Sequence, residues 1–225
     1  MRKIALHQLE SLFAAIEENA ALYLPVDTAA GAKFERWESG KTLSDALNTV
    51  RSPKDFFFPQ TENLMDFKVE GKQIEIIDTR KESEDFVVFG VRACDVKSFD
   101  ILDRVFLSEP VDTYYKNRRE HGVIFSLACT RPAETCFCGT FGIDAANPAG
   151  DVACWKTEDA LYLDAKTEKG AALLAKLEAV TEPAETEPVE AQKAQTAERL
   201  AKLPLADLKA DAFGDGKTSA FFNAP

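Results

Sequence analysis

Two short apolar runs, Phe86–Val91 and Gly122–Ala128, bracket a stretch of helical patterning, and a cysteine stands just beyond each run. Their length and their β-branched and aromatic content (FVVFGV, GVIFSLA) predict buried strands, so the segment reads as strand–helix–strand. A crossover of that kind is almost always right-handed and makes the two strands parallel. Residues just past both strands then emerge on one edge of the sheet. Cys94 and Cys129 hold those two positions, and Cys136 and Cys138 follow within the next loop. Four of the five thiols are therefore expected to converge.

Convergent thiols admit several chemistries. A [4Fe–4S] cube takes four thiolates, usually several from one loop and the last from elsewhere, which Cys129, Cys136 and Cys138 with Cys94 satisfy. A structural zinc site could use the same four residues. Cys136 and Cys138 could form a redox-active pair. The plainest alternative is a set of buried, inert cysteines, although three thiols within one loop exceed what packing requires. Cys-x-x-Cys occurs nowhere in the chain, and Cys-Phe-Cys is tight for two ligands of one site. Cys154, beside Trp155 in an apolar run, reads as a core residue.

At 225 residues with 45% apolar content, the chain can bury one sizeable core, alone or with an appendage. A net charge of −11 argues against nucleic acid as a partner. No leader-like apolar run opens the sequence and no membrane-length apolar stretch follows, so a cytoplasmic chain without a membrane span is expected. An odd set of five cysteines points to metal binding rather than a disulfide framework. Two histidines, His7 and His121, leave little room for imidazole chemistry; His7 reads as a surface residue and His121 as the cationic end of a charged helix. No GxSxG, HExxH, Walker A or GxGxxG pattern is present.

Along the chain, residues 4–21 carry the stripe Ile4, Leu9, Leu12, Phe13 and Ile16 of a surface helix. Residues 21–27 and 32–37 predict an antiparallel pair through Gly31, and 43–50 a helical turn before Ser52-Pro53. Phe56, Phe57 and Phe58 cannot share one face; they read as a core-crossing loop, or else as an aromatic face for a partner subunit. Residues 67–79 predict a hairpin across Glu70-Gly71. Asp95 is expected to cap the helix after Cys94, with Phe99, Leu102, Val105 and Phe106 on its packed face. A second helix is expected to start at Asp112, where one member of each pair Tyr114/Tyr115 and Arg118/Arg119 packs inward. Arg92, Asp95, Arg118 and Arg119 are candidate groups around the thiols, the arginines offsetting thiolate charge or simply pairing with carboxylates. A hairpin around Glu158-Asp159 and a helix near 168–177 follow.

The expected fold class is α/β: a mixed sheet with a central parallel strand pair, edge hairpins, packed helices and a helical C-terminal tail. The expected division is an α/β domain over 1–177, an acidic proline-containing linker or strap over 178–192, and a helical tail over 193–225 that ends on Phe221, Phe222 and NAP.

The blocks FGVRACDVKSFDILDRVFL, DTYYKNRRE and LACTRPAETCFCGTFG, with FFFPQTENLMDF upstream, closely resemble the N-terminal region of iron–sulfur electron-transfer subunits of the sulfhydrogenase beta and anaerobic sulfite reductase A type. The resemblance covers about residues 50–175. It implies that Cys94, Cys129, Cys136 and Cys138 share a ligand role for a [4Fe–4S] cluster, with zinc as the alternative, and that the chain carries electrons rather than performing bond chemistry. It also implies catalytic and flavin-type partner subunits and a ferredoxin-like domain that would follow near Pro225, so that the chain is either a protein that has lost that part or, as the abrupt aromatic end favours, an excised N-terminal piece. A docking module with structural cysteines is the competing role.

Overall fold

A computed structural model describes residues 1–210; the aromatic end at Phe221 and Phe222 lies outside the described residues. Eight strands form one mixed sheet: β1 (Arg2–Ala5), β2 (Ala21–Thr28), β3 (Gly31–Arg36), β6 (Phe86–Val91), β7 (Gly122–Leu127), β8 (Val152–Lys156), β9 (Ala160–Ala165) and β10 (Glu182–Pro183). A separate hairpin, β4 (Met65–Glu70) with β5 (Gln73–Asp78), makes a second sheet. The main sheet runs β10-β1-β9-β8-β7-β6-β2-β3. Its centre is parallel from β2 through β6 and β7 to β8, and both flanks are antiparallel. The parallel pair expected from the sequence is thus the middle of a four-strand parallel core, and the α/β fold class holds.

Helices cover both faces, as a sheet with a parallel centre requires. On one face α1 (Leu9–Glu17) and α4 (Glu168–Lys176) press Leu12, Phe13, Ile16, Leu173 and Leu174 onto Val87, Phe89, Phe125, Leu127 and Cys154. On the other, α2 (Ala93–Phe106) and α3 (Thr113–His121) bury Val96, Phe99 and Tyr115 against Val88 and Ile124. Farther along that face, α5 (Glu187–Ala201) sets Val189 against Ala153 and Trp155. The alternation of neighbouring residues on β6, β7 and β8 between these clusters is the period-2 pattern of strands buried on both sides.

Several expectations need correction. The N-terminal stripe is not one helix: Arg2–Ala5 is a strand paired with β9 and β10, and α1 begins only at Leu9. Pairing with strands more than 150 residues away in sequence overrides the local helical period. No helix forms over 43–50, where Ser44 instead donates to Asp27 at 2.5 Å and its amide bonds Pro25. The 67–79 hairpin turns at Gly71, with φ +63°, but stands outside the main sheet with Phe67, Val69, Ile74 and Ile76 exposed. Within the phenylalanine run, Phe57 is fully buried against Phe86 and Phe99, Phe56 meets Tyr23 and Phe34, and Phe58 stacks on Phe106. The three rings therefore point to three places, mostly filling the core.

Two features aim the strand ends. Gly90, at φ +84°, sits where the β6–β7 register shifts between Phe89 and Val91. A side chain there would meet Pro25 at 3.1 Å, and L-residues avoid that conformation, so glycine alone lets the bulge re-aim Arg92 and the start of α2. The buried Asp151 accepts from the Ile124 amide at 2.8 Å and from Thr167, the cap of α4, at 2.7 Å, fixing the entry to β8 against β7.

Candidate metal centre

Cys94 lies in the first turn of α2, directly after β6. The helix is not capped by Asp95: its N-cap is Arg92, which makes no side-chain cap bond. Asp95 instead accepts from Ser52 at 2.8 Å and from Lys54 at 3.3 Å, because a first-turn carboxylate already inside the helix faces outward to those partners. Cys94 is exposed, yet enough protein surrounds its sulfur that desolvation, and then the Asp95 charge, raise its pKa.

Cys129 is two residues past β7 and buried, with its amide bonded to the Ala145 carbonyl at 2.9 Å. That bond closes the loop that returns the chain to the start of β8. Burial pushes the Cys129 thiol up, while the Arg92 guanidinium beside it pulls in the other direction. Arg92 also donates to the carbonyls of Ala128 at 3.3 Å and Ala46 at 2.9 Å, so its head is fixed at the sheet edge. Cys136 and Cys138 occupy the same loop, Cys138 opening a short 3-10 turn through Phe141. The Cys138 thiol is pushed up to about 11, first by burial and then by Cys94, Cys136 and Cys129.

Neighbouring thiols at this sheet edge thus add to the upward push on Cys94, Cys129 and Cys138. All five cysteines are free. Cys154 stands apart: it is fully buried, only burial raises its pKa, and no other thiol acts on it. As donors, four neighbouring thiols beside a fixed guanidinium suit a thiolate-ligated metal or cluster. Among the described residues, however, no three or more Cys, His, Asp or Glu side chains are drawn together tightly enough to hold a metal ion.

Arg118 and Arg119 lie elsewhere. α3 enters β7 at its beginning, whereas Cys129 follows its end, a strand length of about 20 Å away. Arg118 donates to Glu62 at 2.8 Å and Arg119 makes a two-pronged pair with Asp103, which also accepts from the buried Tyr115 at 2.6 Å. Both arginines are carboxylate partners, and the inward Tyr115 and Arg119 brace α3 on α2. Asp112 caps α3 as expected, accepting from the amides of Tyr114 and Tyr115 at 3.0 and 2.9 Å. His7 is exposed, and His121 pairs with Asp85 at 2.7 Å.

Sequence reasoning missed Arg131, Arg199 and Gln192, which border a cleft beside Cys129. Arg199 reaches the Thr130 carbonyl from α5, a contact between distant parts of the chain that no local spacing encodes.

No family model matches the chain, and no solved structure matches it. No described helix is long and apolar enough to cross a membrane. A protein described as sulfhydrogenase 2 subunit beta, from Pyrococcus furiosus, is 32% identical over 173 residues, covering 76% of this chain and 50% of that protein. The chain spans about half the length of the curated relative that it matches. That similarity supports a place for the chain in the sulfhydrogenase beta-type family.

Proposed function

We propose that this chain is an electron-transfer subunit, or the N-terminal part of one, in a multisubunit hydrogenase- or sulfite-reductase-like oxidoreductase of the cytoplasm. It holds a [4Fe–4S] cluster through Cys94, Cys129, Cys136 and Cys138. Its partners are catalytic and flavin-type subunits and a ferredoxin-like domain. The observation that carries this reading is the placement of Cys94 and Cys129 just past the ends of neighbouring parallel strands, with Cys136 and Cys138 on the loop that follows Cys129. The relative's description as a sulfhydrogenase subunit supports the complex.

A bound cluster supplies one-electron redox chemistry. The chain's own residues have two tasks. The thiols must release protons to ligate, and burial opposes that step, so the positive Arg92 beside Cys129 favours the thiolate form. Phe137 and Phe141, in edge contact at 5.8 Å, flank Cys138 and put apolar surface beside the site.

A second reading is a docking module with a zinc or an inert cysteine site, and its inert form is favoured by the absence of three converged ligands among the described residues. Anaerobic preparation separates the two. The first reading expects brown protein with about four irons and matching sulfide per chain. Zinc near one per chain without iron, or no metal at all, overturns it in favour of docking.

A further inference from the structure

A cleft of 730 Å3 opens between α5 and the carboxyl ends of β7 and β8. In sheets with parallel strands, ligands bind outside those ends, where the loops diverge. The volume is that of a small-molecule site and exceeds what a simple inorganic ion needs.

Its charge is unlike the rest of the surface. The chain has 38 Asp and Glu against 27 Lys and Arg, so an arginine ordinarily finds a carboxylate. Arg2, Arg36, Arg51, Arg80, Arg118 and Arg119 all do. Among the described residues Arg92, Arg104, Arg131 and Arg199 do not, and all of these but Arg104 border the cleft. Arg92 and Arg199 donate to main-chain carbonyls, and no carboxylate neutralises either of them among the described residues. Lys156, also on the wall, is neutralised by Asp45.

Two more features narrow the ligand. The side-chain oxygen and nitrogen of Gln192, on the α5 wall, are shielded and hydrogen-bond to nothing. An unmet buried amide is unfavourable, and a turn toward a polar ligand would satisfy it. Glu158 and Asp159, exposed on the β8–β9 turn, line the same cleft and would repel a bare anion. They suit a ligand that also presents hydroxyls, which carboxylates accept readily.

We propose that this cleft binds a phosphate ester with free hydroxyl groups, of the nucleotide or sugar-phosphate class. Arg92, Arg131 and Arg199 meet the phosphate oxygens, for which a guanidinium fork is matched. Gln192, Glu158 and Asp159 meet the hydroxyl-bearing part. None of this depends on a cluster being bound.

Calorimetric titration of the whole chain at low salt, with ADP, ribose 5-phosphate and pyrophosphate as probes, tests it. One or both esters should bind saturably at one site per chain. Arg131→Ala and Arg199→Ala should each weaken binding by about tenfold, and Gln192→Leu should weaken it less. Arg104→Ala should bind as the unaltered chain does. Arg131 and Arg199 are exposed, so the variants should keep the native circular dichroism, and iron content should be the same in all of them. Absence of ester binding, ester binding unchanged in both arginine variants, or pyrophosphate binding as tightly as the esters would each overturn the assignment.

Discussion

The Arg92 guanidinium lies against the Cys129 thiol where two neighbouring parallel strands end, and it ties that edge to the Ala46 and Ala128 carbonyls. One side chain thereby holds together the end of β6, the end of β7 and the 43–50 segment. It also supplies the positive charge nearest a buried sulfur. Arg92→Ala should leave two carbonyls without their donor and lower stability by about 1–3 kcal/mol, read as a shift of the urea midpoint. Iron content after anaerobic loading should fall as well.

The thiols should divide into two groups. Cys94→Ser should abolish iron incorporation while the circular dichroism stays native, because buried valines and not an exposed thiol hold that end of β6. Cys154→Ala should cost about 1 kcal/mol of stability and leave iron unchanged, since its fully buried side chain is a packing element remote from the other thiols in effect. Equal iron in the Cys94→Ser protein and the unaltered chain would remove Cys94 from the site.

Asp151 is the polar pin of the parallel core. Asp151→Ala strands the Ile124 amide and frees Thr167, so a loss of about 1–3 kcal/mol is expected. Hydrogen exchange should speed up first at the β7–β8 junction. Unchanged thermal stability would show that water replaces both bonds.

Asp103 should govern part of the acid limb. Although desolvation pushes its carboxyl upward, hydrogen bonds from Arg119 and Tyr115 outweigh it and hold the pKa below the ordinary carboxylate value. Such a group contributes its stability fully above its unfolded pKa, about 3.9, and loses it as pH falls through the lower folded value. Asp103→Asn should therefore be less stable at neutral pH and show a flatter loss of stability between about pH 4 and 2. A stability curve parallel to that of the unaltered chain would contradict this.

What the sequence alone determined is what short-range pattern encodes. The strands β6 and β7 are apolar on both faces, and only a doubly covered parallel sheet buries such runs, so their neighbourhood and the placement of Cys94 and Cys129 at one edge were legible. The hairpins β2–β3, β4–β5 and β8–β9 could likewise be read from alternation broken by turns, and the Asp112 cap from a side chain that serves amides two and three residues on. Tertiary structure decided the rest. Arg2–Ala5 became a strand because β9 offered an unpaired edge, a partner invisible to local propensity. Asp95 turned from cap to ion-pair partner because Ser52 and Lys54 reach it from another segment. Arg119 went to Asp103 rather than to the thiols because α3 enters the opposite end of β7. The cleft where Arg92, Arg131 and Arg199 meet draws on three separate parts of the chain, and charges so far apart in sequence acquire a common field only when the fold brings them to one wall.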